Sequence, residues 1–206
     1  MNQLQGTVYV VDDDPSIRRA VARLCRSAGL AVQAFASARE LLEAGVPESP
    51  ACLVLDVRMP GLSGLDLQSE LARRGIQTPI IFITGHGDIP MSVQAMKAGA
   101  VDFLTKPFQH RDLLGVMQNA LRRDAQLVSA HREREDIRRR LERLTPRERE
   151  VFGLVIKGLL NKQIAAELGA KEQTVKVHRR RLMEKMDVES VAELVQAAAK
   201  AGVVEV

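Results

Sequence analysis

The sequence predicts an α/β domain built on a five-stranded, doubly wound parallel sheet, followed by a small all-α domain of four helices. Apolar runs alternate with helical patterns along the first part of the chain, as in successive strand–helix–strand units. The run Ala51–Asp56 is apolar without alternation up to its final carboxylate, which is typical of a strand covered on both faces. Residues 1–121 hold 11 Lys/Arg and 12 Asp/Glu, whereas residues 122–206 hold 19 and 14. The basic second part is therefore the one expected to meet a polyanion.

The elements of the first domain follow from apolar patterns and helix-start signals. Asp14 before Pro15 predicts a helix N-cap with proline at the first helical position. Ser37 with Glu40 three residues later forms a capping box, and Ser63 with Asp66 marks another helix start. The predicted strands are Thr7–Val11, Ala31–Phe35, Ala51–Asp56, Pro79–Ile83 and Val101–Thr105, and the first and last helices are Ile17–Ala28 and His110–Arg123.

Acidic residues follow two of these strands directly. Asp12 and Asp13 come after the first strand, and Asp56 ends the central one. Because ligands of open α/β sheets bind outside the carboxyl ends of the strands, we expect these carboxylates to converge there. Mg²⁺ prefers hard oxygen ligands with water completing an octahedron. The alternative for the triplet Asp12–Asp14 alone is a solvated acidic turn.

Two more strand ends add a hydroxyl and an ammonium group. Thr84 follows the fourth strand and Lys106 the fifth. A carboxylate nucleophile beside Mg²⁺, a hydroxyl and an ammonium group suit the formation of an acyl phosphate. In that reaction Asp56 would attack a phosphoryl group. The sequence contains neither the P-loop pattern nor the Gly-x-Gly-x-x-Gly turn, so nucleotide binding is not indicated.

These motifs resemble the receiver domain of two-component response regulators, and the wording around Thr84 is most similar to the FixJ-like branch. The resemblance covers roughly residues 5–122. It rests on Val11–Asp14, Leu55–Gly61, Ile83–Asp88 and Phe103–Phe108. It implies that Asp56 accepts phosphate from the histidine of a sensor kinase, and that Asp12, Asp13, Asp56 and the Arg58 carbonyl surround Mg²⁺. It also implies that Thr84 and Phe103 are paired switch residues, that Lys106 contacts the phosphate and that the Lys106–Pro107 bond is cis.

A charged segment follows the first domain. Its Arg, Glu, Ala and Leu content and its opposite charges three and four residues apart favour a helix. The apolar positions leave a gap between Val128 and Ile137, so a heptad seam is not sustained. We expect a solvated helical spacer, and the alternative is a continuous helix that transmits the state of the first domain. The predicted division is therefore 1–122, 123–143 and 144–206.

The last part of the chain carries four helix patterns. Thr145 with Glu148 forms a capping box with proline at the first helical position, Asn161 is predicted to cap a short second helix, and Ser190 with Glu193 starts the fourth. Two short helices joined by a glycine turn predict a helix-turn-helix. The third helix, from about Glu172 to Met186, places Val175, Leu182 and Met186 on its inner side and cations on the other, which suits the major groove. A solvated basic face is the alternative.

This part resembles the LuxR-type DNA-binding domain over roughly residues 142–203. The resemblance rests on Leu144–Val151, Asn161–Ala165 and Thr174–Arg179. It implies base contacts by Lys176, Val177 and Arg180, and phosphate contacts by Lys162, Thr174 and Arg181. It also implies a dimer contact of the fourth helix through Val191, Leu194 and Val195.

Together these predictions describe a response regulator that is phosphorylated on Asp56, dimerises through its receiver, and binds promoter DNA, with activation of transcription expected. Its expected partners are a sensor histidine kinase, double-stranded promoter DNA, RNA polymerase and a second copy of the chain. It is not expected to be an enzyme beyond Mg²⁺-dependent self-phosphorylation and autodephosphorylation. A phosphatase with an aspartyl nucleophile is the rival interpretation, but such enzymes need a second acid two residues after the nucleophile, where this chain has Arg58. A third alternative is a receiver that serves only as an inert scaffold.

Composition adds two further expectations. Without a membrane-length apolar run or a signal pattern at residues 1–5, the chain is expected to be cytoplasmic. Cys25 and Cys52 lack the spacing of a metal site or a disulfide framework, so both are predicted to be core residues.

Overall fold

A computed structural model of the chain describes residues 6–45, 50–85 and 89–203, and these divide into two compact units at Val128 and Ser129. The segments 1–5 and 86–88, to which the predictions about a signal sequence and part of the Ile83–Asp88 motif refer, lie outside the described residues. Strands and helices are numbered in chain order. The first unit contains β1 Thr7–Val11, α1 Pro15–Ser27, β2 Ala31–Phe35, α2 Ala38–Ala44, β3 Ala51–Asp56, α3 Gly64–Arg73, β4 Ile80–Thr84, α4 Ile89–Lys97, β5 Asp102–Thr105 and the start of α5 His110–Glu142.

The five strands form one parallel sheet in the order β2-β1-β3-β4-β5, which confirms the predicted doubly wound fold. In this register Asp56 lies opposite Ile83, and Thr84 lies opposite Thr105. All strands run in the same direction, so their carboxyl ends share one edge of the sheet. That edge carries the predicted site residues.

Helices cover both faces of the sheet and enclose two apolar cores. One core joins alternate strand residues such as Leu53 and Phe82 to α2 and α3, and the other joins Val54 and Ile81 to α1 and α5. All six residues of β3 are buried, as its continuous apolar run predicts. Both cysteines are free and buried, which confirms their predicted core role.

The second unit is helical. It contains α6 Pro146–Val155, α7 Asn161–Glu167, α8 Glu172–Met186 and α9 Val191–Lys200, together with the last part of α5. Residues from all five segments form a single core. Val175, Leu182 and Met186 on α8 are at most 1 % exposed, as predicted for its inner side.

Several local predictions need correction. The helix expected to end at Arg123 continues to Glu142, because no glycine or proline interrupts its helix-forming sequence after Gly115. Thr84 is the last residue of β4, and that strand begins at Ile80. Asn161 is the first residue of α7, which Leu160 precedes as N-cap, and the Asn161 side chain accepts a hydrogen bond from Arg179 at 3.0 Å.

Other local predictions are confirmed. Asp14, Ser37, Ser63, Thr145 and Ser190 each cap the helix that follows, through a side-chain oxygen that accepts a backbone N–H. The Lys106–Pro107 bond is cis.

Candidate functional site

Asp56 lies at the carboxyl edge of the sheet, at the end of a rigid strand. It is only 7 % exposed, and its Oδ1 accepts a hydrogen bond from the Arg58 N–H at 3.2 Å. The next helix begins close behind it, because the Gly64 N–H donates to the Val57 carbonyl at 3.0 Å. A side chain at Gly64 would overlap the Asp56 carbonyl oxygen. Gly64 thus allows α3 to start directly against the backbone of Asp56, a role that the sequence analysis missed.

Three carboxylates meet at this edge. One oxygen from each of Asp12, Asp13 and Asp56 lies within 4.8 Å of the other two, with Asp12 and Asp56 buried and Asp13 exposed. The Asp12 side chain is oriented by the Asp14 N–H, which donates to its Oδ1 at 2.8 Å, while Arg18 donates to its carbonyl at 2.6 Å. A set of hard oxygen donors in this arrangement is typical of an Mg²⁺ site and fits a small divalent cation. The structure therefore brings together the three acids that the sequence analysis grouped.

Lys106 bridges two of these acids. Its Nζ donates to Asp12 Oδ2 at 2.7 Å and to Asp56 Oδ2 at 2.9 Å. Burial raises the pKa of Asp12, and this outweighs the opposite effects of Lys106 and of the Asp14 N–H. Burial alone would lower the pKa of Lys106, but the hydrogen bonds and charges of the two carboxylates raise it above its usual value. The ammonium group is therefore held firmly in its charged form beside the acids.

A Lys106→Met chain is expected to bind Mg²⁺ more tightly than the wild type. The Lys106 ammonium group repels a divalent cation placed among the same oxygens, so that its removal should raise the affinity at least about tenfold. Calorimetric titration with Mg²⁺ measures the change. Lys97→Met, which removes an exposed lysine at the end of α4, is the control and should not change the affinity. An unchanged or weaker affinity of Lys106→Met would contradict the prediction.

Thr84 is the last residue of β4, and Phe103 is the second residue of the neighbouring strand β5, where it pairs with Phe82. Thr84 is 1 % exposed, and Phe103 is partly buried with its ring centroid 6.4 Å from that of Phe82. Phe103 therefore packs against the core under the site. The structure brings the hydroxyl of Thr84, the carboxylate of Asp56 and the ammonium group of Lys106 to one edge, as predicted from the strand ends.

A second candidate surface lies on α8, with one further residue, Lys162, on α7. The residues predicted to face DNA are exposed, whereas those on the opposite side of the helix are buried. Val177 is 41 % exposed among cationic neighbours. The exposed members of the predicted set are Lys162, Thr174, Lys176, Val177, Arg180 and Arg181.

Helix α8 is fixed to α6 by an ion pair whose carboxylate is buried and whose lysine is partly exposed. Lys185 Nζ lies 2.6 Å from Oε2 of Glu148, which is 3 % exposed and also accepts the Thr145 N–H at 2.9 Å. Burial alone would raise the pKa of Glu148, but the hydrogen bonds from Lys185 and Thr145 together hold it below the usual range. The ionised carboxylate therefore stabilises the folded second unit.

This pair predicts a pH dependence of stability. Because the folded pKa is lowered, the stabilisation is complete above the ordinary glutamate pKa of about 4.3 and is lost as the pH falls through the folded value. A Glu148→Gln chain should melt about 5 °C below the wild type at pH 7. The difference should shrink steadily below about pH 4. Thermal denaturation across this range measures it, and a difference that stays constant with pH would contradict the assignment.

Two buried polar residues connect elements that the sequence analysis treated separately. The Gln68 amide on α3 donates to the carbonyls of Ala95 and Ala98 at the end of α4, at 3.3 and 3.1 Å. Asp124 on α5 accepts the Ala51 N–H at 2.8 Å, at the start of β3. These contacts depend on long-range packing, and the sequence carries no local signal for them.

Only two of the three residues predicted to form a dimer contact on α9 are partly exposed. Leu194 is fully buried in the core of the second unit, while Val191 and Val195 are half-buried. Of the three predicted residues, only the two valines are therefore accessible for a contact between two copies of this helix.

A parallel sheet with three acids and a lysine at its carboxyl edge, followed by a helical unit with an exposed basic helix, defines a class of protein: a receiver joined to a DNA-binding domain. Comparison with known families agrees. Residues 8–118 match the response regulator receiver domain, and residues 142–198 match the bacterial regulatory proteins of the luxR family.

Full-length relatives extend this agreement. The chain is 54 % identical to nodulation protein W of Bradyrhizobium diazoefficiens over 97 % of its own length and 88 % of that protein. It is 45 % identical to the transcriptional regulatory protein FixJ of Azorhizobium caulinodans, covering 95 % and 93 %. The solved structure of the response regulator StyR matches with a TM-score of 0.87 at 49 % identity, covering 95 % of this chain and 98 % of that one. The chain belongs to the FixJ-like family of two-component response regulators with a LuxR-type DNA-binding domain, and it acts in transcription regulation by two-component signalling.

Within residues 6–45, 50–85 and 89–203, no helix combines the length and the apolar character needed to cross a bilayer.

Proposed function

We propose that this response regulator is switched by phosphorylation of Asp56, and that the phosphorylated chain dimerises through its receiver and binds promoter DNA to activate transcription. The observation that carries the proposal is the position of Asp56. Its carboxylate stands at the edge of the sheet, within 4.8 Å of two further acids and 2.9 Å from an ammonium group.

The proposed reaction is transfer of a phosphoryl group from a histidine of a sensor kinase. A carboxylate oxygen of Asp56 attacks phosphorus and forms a P–O bond, while the P–N bond breaks and the imidazole nitrogen takes its electron pair. Lys106, already hydrogen-bonded to Asp56, neutralises charge on the phosphoryl oxygens. Thr84 supplies a hydroxyl for one of these oxygens from the neighbouring strand.

Asp12, Asp13, Asp56 and the carbonyl of Arg58 would hold Mg²⁺ at this edge. The bound cation would neutralise charge on the transferring group. The buried Asp12 is held in place by the Asp14 N–H, so that this part of the cluster is preorganised by the chain itself.

The proposed dimer surface lies on α4. Three apolar side chains recur there at helical spacing and are exposed, with Ile89 at 80 %, Val93 at 44 % and Met96 at 46 %. A row of exposed apolar residues marks an interaction site more often than a solvent-facing surface. Helix α4 contacts β5, and Phe103 of β5 packs under the phosphorylation site. A conformational change at Thr84 and Phe103 would therefore reach the apolar row through one neighbouring strand.

The proposed DNA surface is the exposed face of α8 together with Lys162 on α7. Lys176, Val177 and Arg180 would reach base edges in the major groove, and Lys162, Thr174 and Arg181 would hold phosphates. A dimer would place two such helices on two half-sites. Recruitment of RNA polymerase to the bound promoter would explain activation.

A gel shift tests the proposal. The probe is a duplex selected by the wild-type chain from a random-sequence pool, and the protein is used with and without acetyl phosphate and Mg²⁺. We expect tighter binding by the phosphorylated wild type and no response of an Asp56→Ala chain. Equal responses of the two chains would overturn the proposal. Turnover of a small phosphate ester would instead support the phosphatase alternative. That reaction needs an acid two residues after the nucleophile, where this chain has Arg58.

A further inference from the structure

The last turns of α5 are part of the DNA-binding unit. Ile137 is 7 % exposed and belongs to the same core as Val151, Val175 and Leu194, and Leu141 packs against that core. The luxR family match begins only at residue 142. The structure therefore adds to the DNA-binding unit a segment that lies outside the matched family region and that was expected to be a solvated spacer.

Within this segment, Arg140 holds the C-terminal end of α8. Its Nη1 donates to the Met186 carbonyl at 2.9 Å and lies 3.2 Å from the Asp187 carboxylate, while its Nη2 lies 2.8 Å from Asp136 on α5. The last carbonyls of a helix lack partners within the helix and carry partial negative charge. A guanidinium group there stabilises the helix end both by donating a hydrogen bond and by its positive charge. Asp187 itself has a φ of 56°, in the left-handed region. A non-glycine residue keeps this backbone conformation only where the surrounding contacts hold it, so the contacts of Arg140 help to fix this helix end.

Neighbouring contacts join the same segment to the ends of α8 and α9. Lys185 donates to the Arg143 carbonyl at 3.2 Å, just after α5 ends. Arg134 Nε donates to the Lys200 carbonyl at 3.0 Å, and the Lys200 ammonium group lies 2.7 Å from Glu133. One side of α5 thus contacts the C-terminal ends of both helices.

We propose that Arg140 is a positioning residue for DNA recognition: it fixes the end of α8, and thereby the direction in which the basic face of that helix enters the major groove. The inference rests on the proposed function of α8 in reading DNA. Arg140 acts through the Met186 carbonyl and is not assigned a contact with DNA. Its loss should therefore affect recognition of a particular sequence more than general attraction to the phosphate backbone.

The chain offers a matched control in the adjacent residue. Arg139 is also on α5, has a side-chain exposure of 72 %, and pairs with Asp136 at 3.1 Å within the same helix. Replacing either arginine by alanine removes the same charge at nearly the same place. Arg140→Lys keeps the charge but cannot reproduce the two-pronged contact.

Binding measurements on the full-length chain test the proposal. The probes are a duplex selected by the wild type from a random pool and a scrambled duplex of equal length. For Arg140→Ala we expect affinity for the selected duplex to fall about tenfold, the equivalent of one charge-assisted hydrogen bond. Affinity for the scrambled duplex should stay nearly unchanged, as should the slope of log K against log salt. Arg140→Lys should recover part of the loss, and Arg139→Ala should behave as wild type.

A measurement without DNA separates this inference from the proposed function. Hydrogen exchange of the backbone amides at 184–188 should be faster in Arg140→Ala than in Arg139→Ala or the wild type, with exchange in α6 unchanged. Unchanged exchange at the end of α8 would overturn the inference. So would an equal loss on both duplexes with a salt slope shallower by about 1, because that pattern marks a direct phosphate contact. If the wild type bound neither duplex, the proposed function would fail, while hydrogen exchange would still decide whether Arg140 fixes the helix end.

Discussion

Replacing Gly64 by alanine is expected to slow phosphorylation of Asp56 by about 100-fold, the penalty for moving a reacting group by about 1 Å. A Cβ at this position would overlap the Asp56 carbonyl oxygen and would lie 3.1 Å from Cε1 of Phe82. The oxygen belongs to a backbone that is buried in the sheet, so that it cannot rotate away as a side chain would. Either α3 or the peptide of Asp56 has to shift. We expect the peptide of Asp56 to move, which would displace its carboxylate from Lys106.

The rate of labelling by acetyl phosphate measures this effect. Gly115→Ala is the matched control, since a Cβ there meets no atom within 4 Å and the residue lies within a helix. The control should label at the wild-type rate. Overpacking at Gly64 should also cost about 1–3 kcal/mol of stability, which thermal denaturation would detect. Wild-type labelling together with an unchanged melting temperature would show that α3 can begin without this close approach.

Introducing a charge into the apolar row of α4 should abolish dimerisation of the phosphorylated chain. In a Val93→Asp chain, association would bury a carboxylate between apolar surfaces, and the penalty of several kcal/mol corresponds to more than about a 100-fold loss of dimer affinity. Phosphorylation itself should be unaffected because Val93 is 44 % exposed and outside the acidic cluster.

Sedimentation of the phosphorylated chain measures the dimer. Gln94→Asp introduces the same charge at the next position of α4, which is exposed but on another side of the helix, and it should leave the dimer largely intact. If Val93→Asp dimerised as well as the wild type, the receiver would have to associate through a different surface.

Much of the receiver could be predicted from the sequence because its signals are local. The continuous apolar run of β3, the acids after β1 and the capping residues Asp14 and Ser63 each specify their element within a few residues. Since parallel strands align their carboxyl ends, knowing which strand each residue follows was enough to group Asp12, Asp13, Asp56, Thr84 and Lys106.

Features that depend on tertiary contact could not be predicted in the same way. The bridge from Lys106 to both Asp12 and Asp56 and the buried amide of Gln68 join segments far apart in the chain. The clearance at Gly64 depends on how closely the start of α3 returns to the end of β3. The end of α5 is the clearest case. Its charged sequence is typical of a solvated helix, and only the packing of Ile137 and the contact of Arg140 with Met186 connect it to the DNA-binding core.

In the helix-turn-helix, too, local features could be predicted from the sequence and a tertiary contact could not. The bounds of α8 and its buried residues followed from helical spacing alone. Asn161 has a side chain suited to an N-cap, but it is the first residue of α7 and accepts a hydrogen bond from Arg179, because a good capping side chain can satisfy a tertiary hydrogen bond instead.

The most direct test of the central claim is peptide mapping by mass spectrometry of the full-length chain after treatment with acetyl phosphate and Mg²⁺. We predict a single added phosphate on the peptide that contains Asp56, and none in an Asp56→Asn chain treated in the same way. Phosphate on Asp12, on Asp13 or on no residue at all would contradict the account.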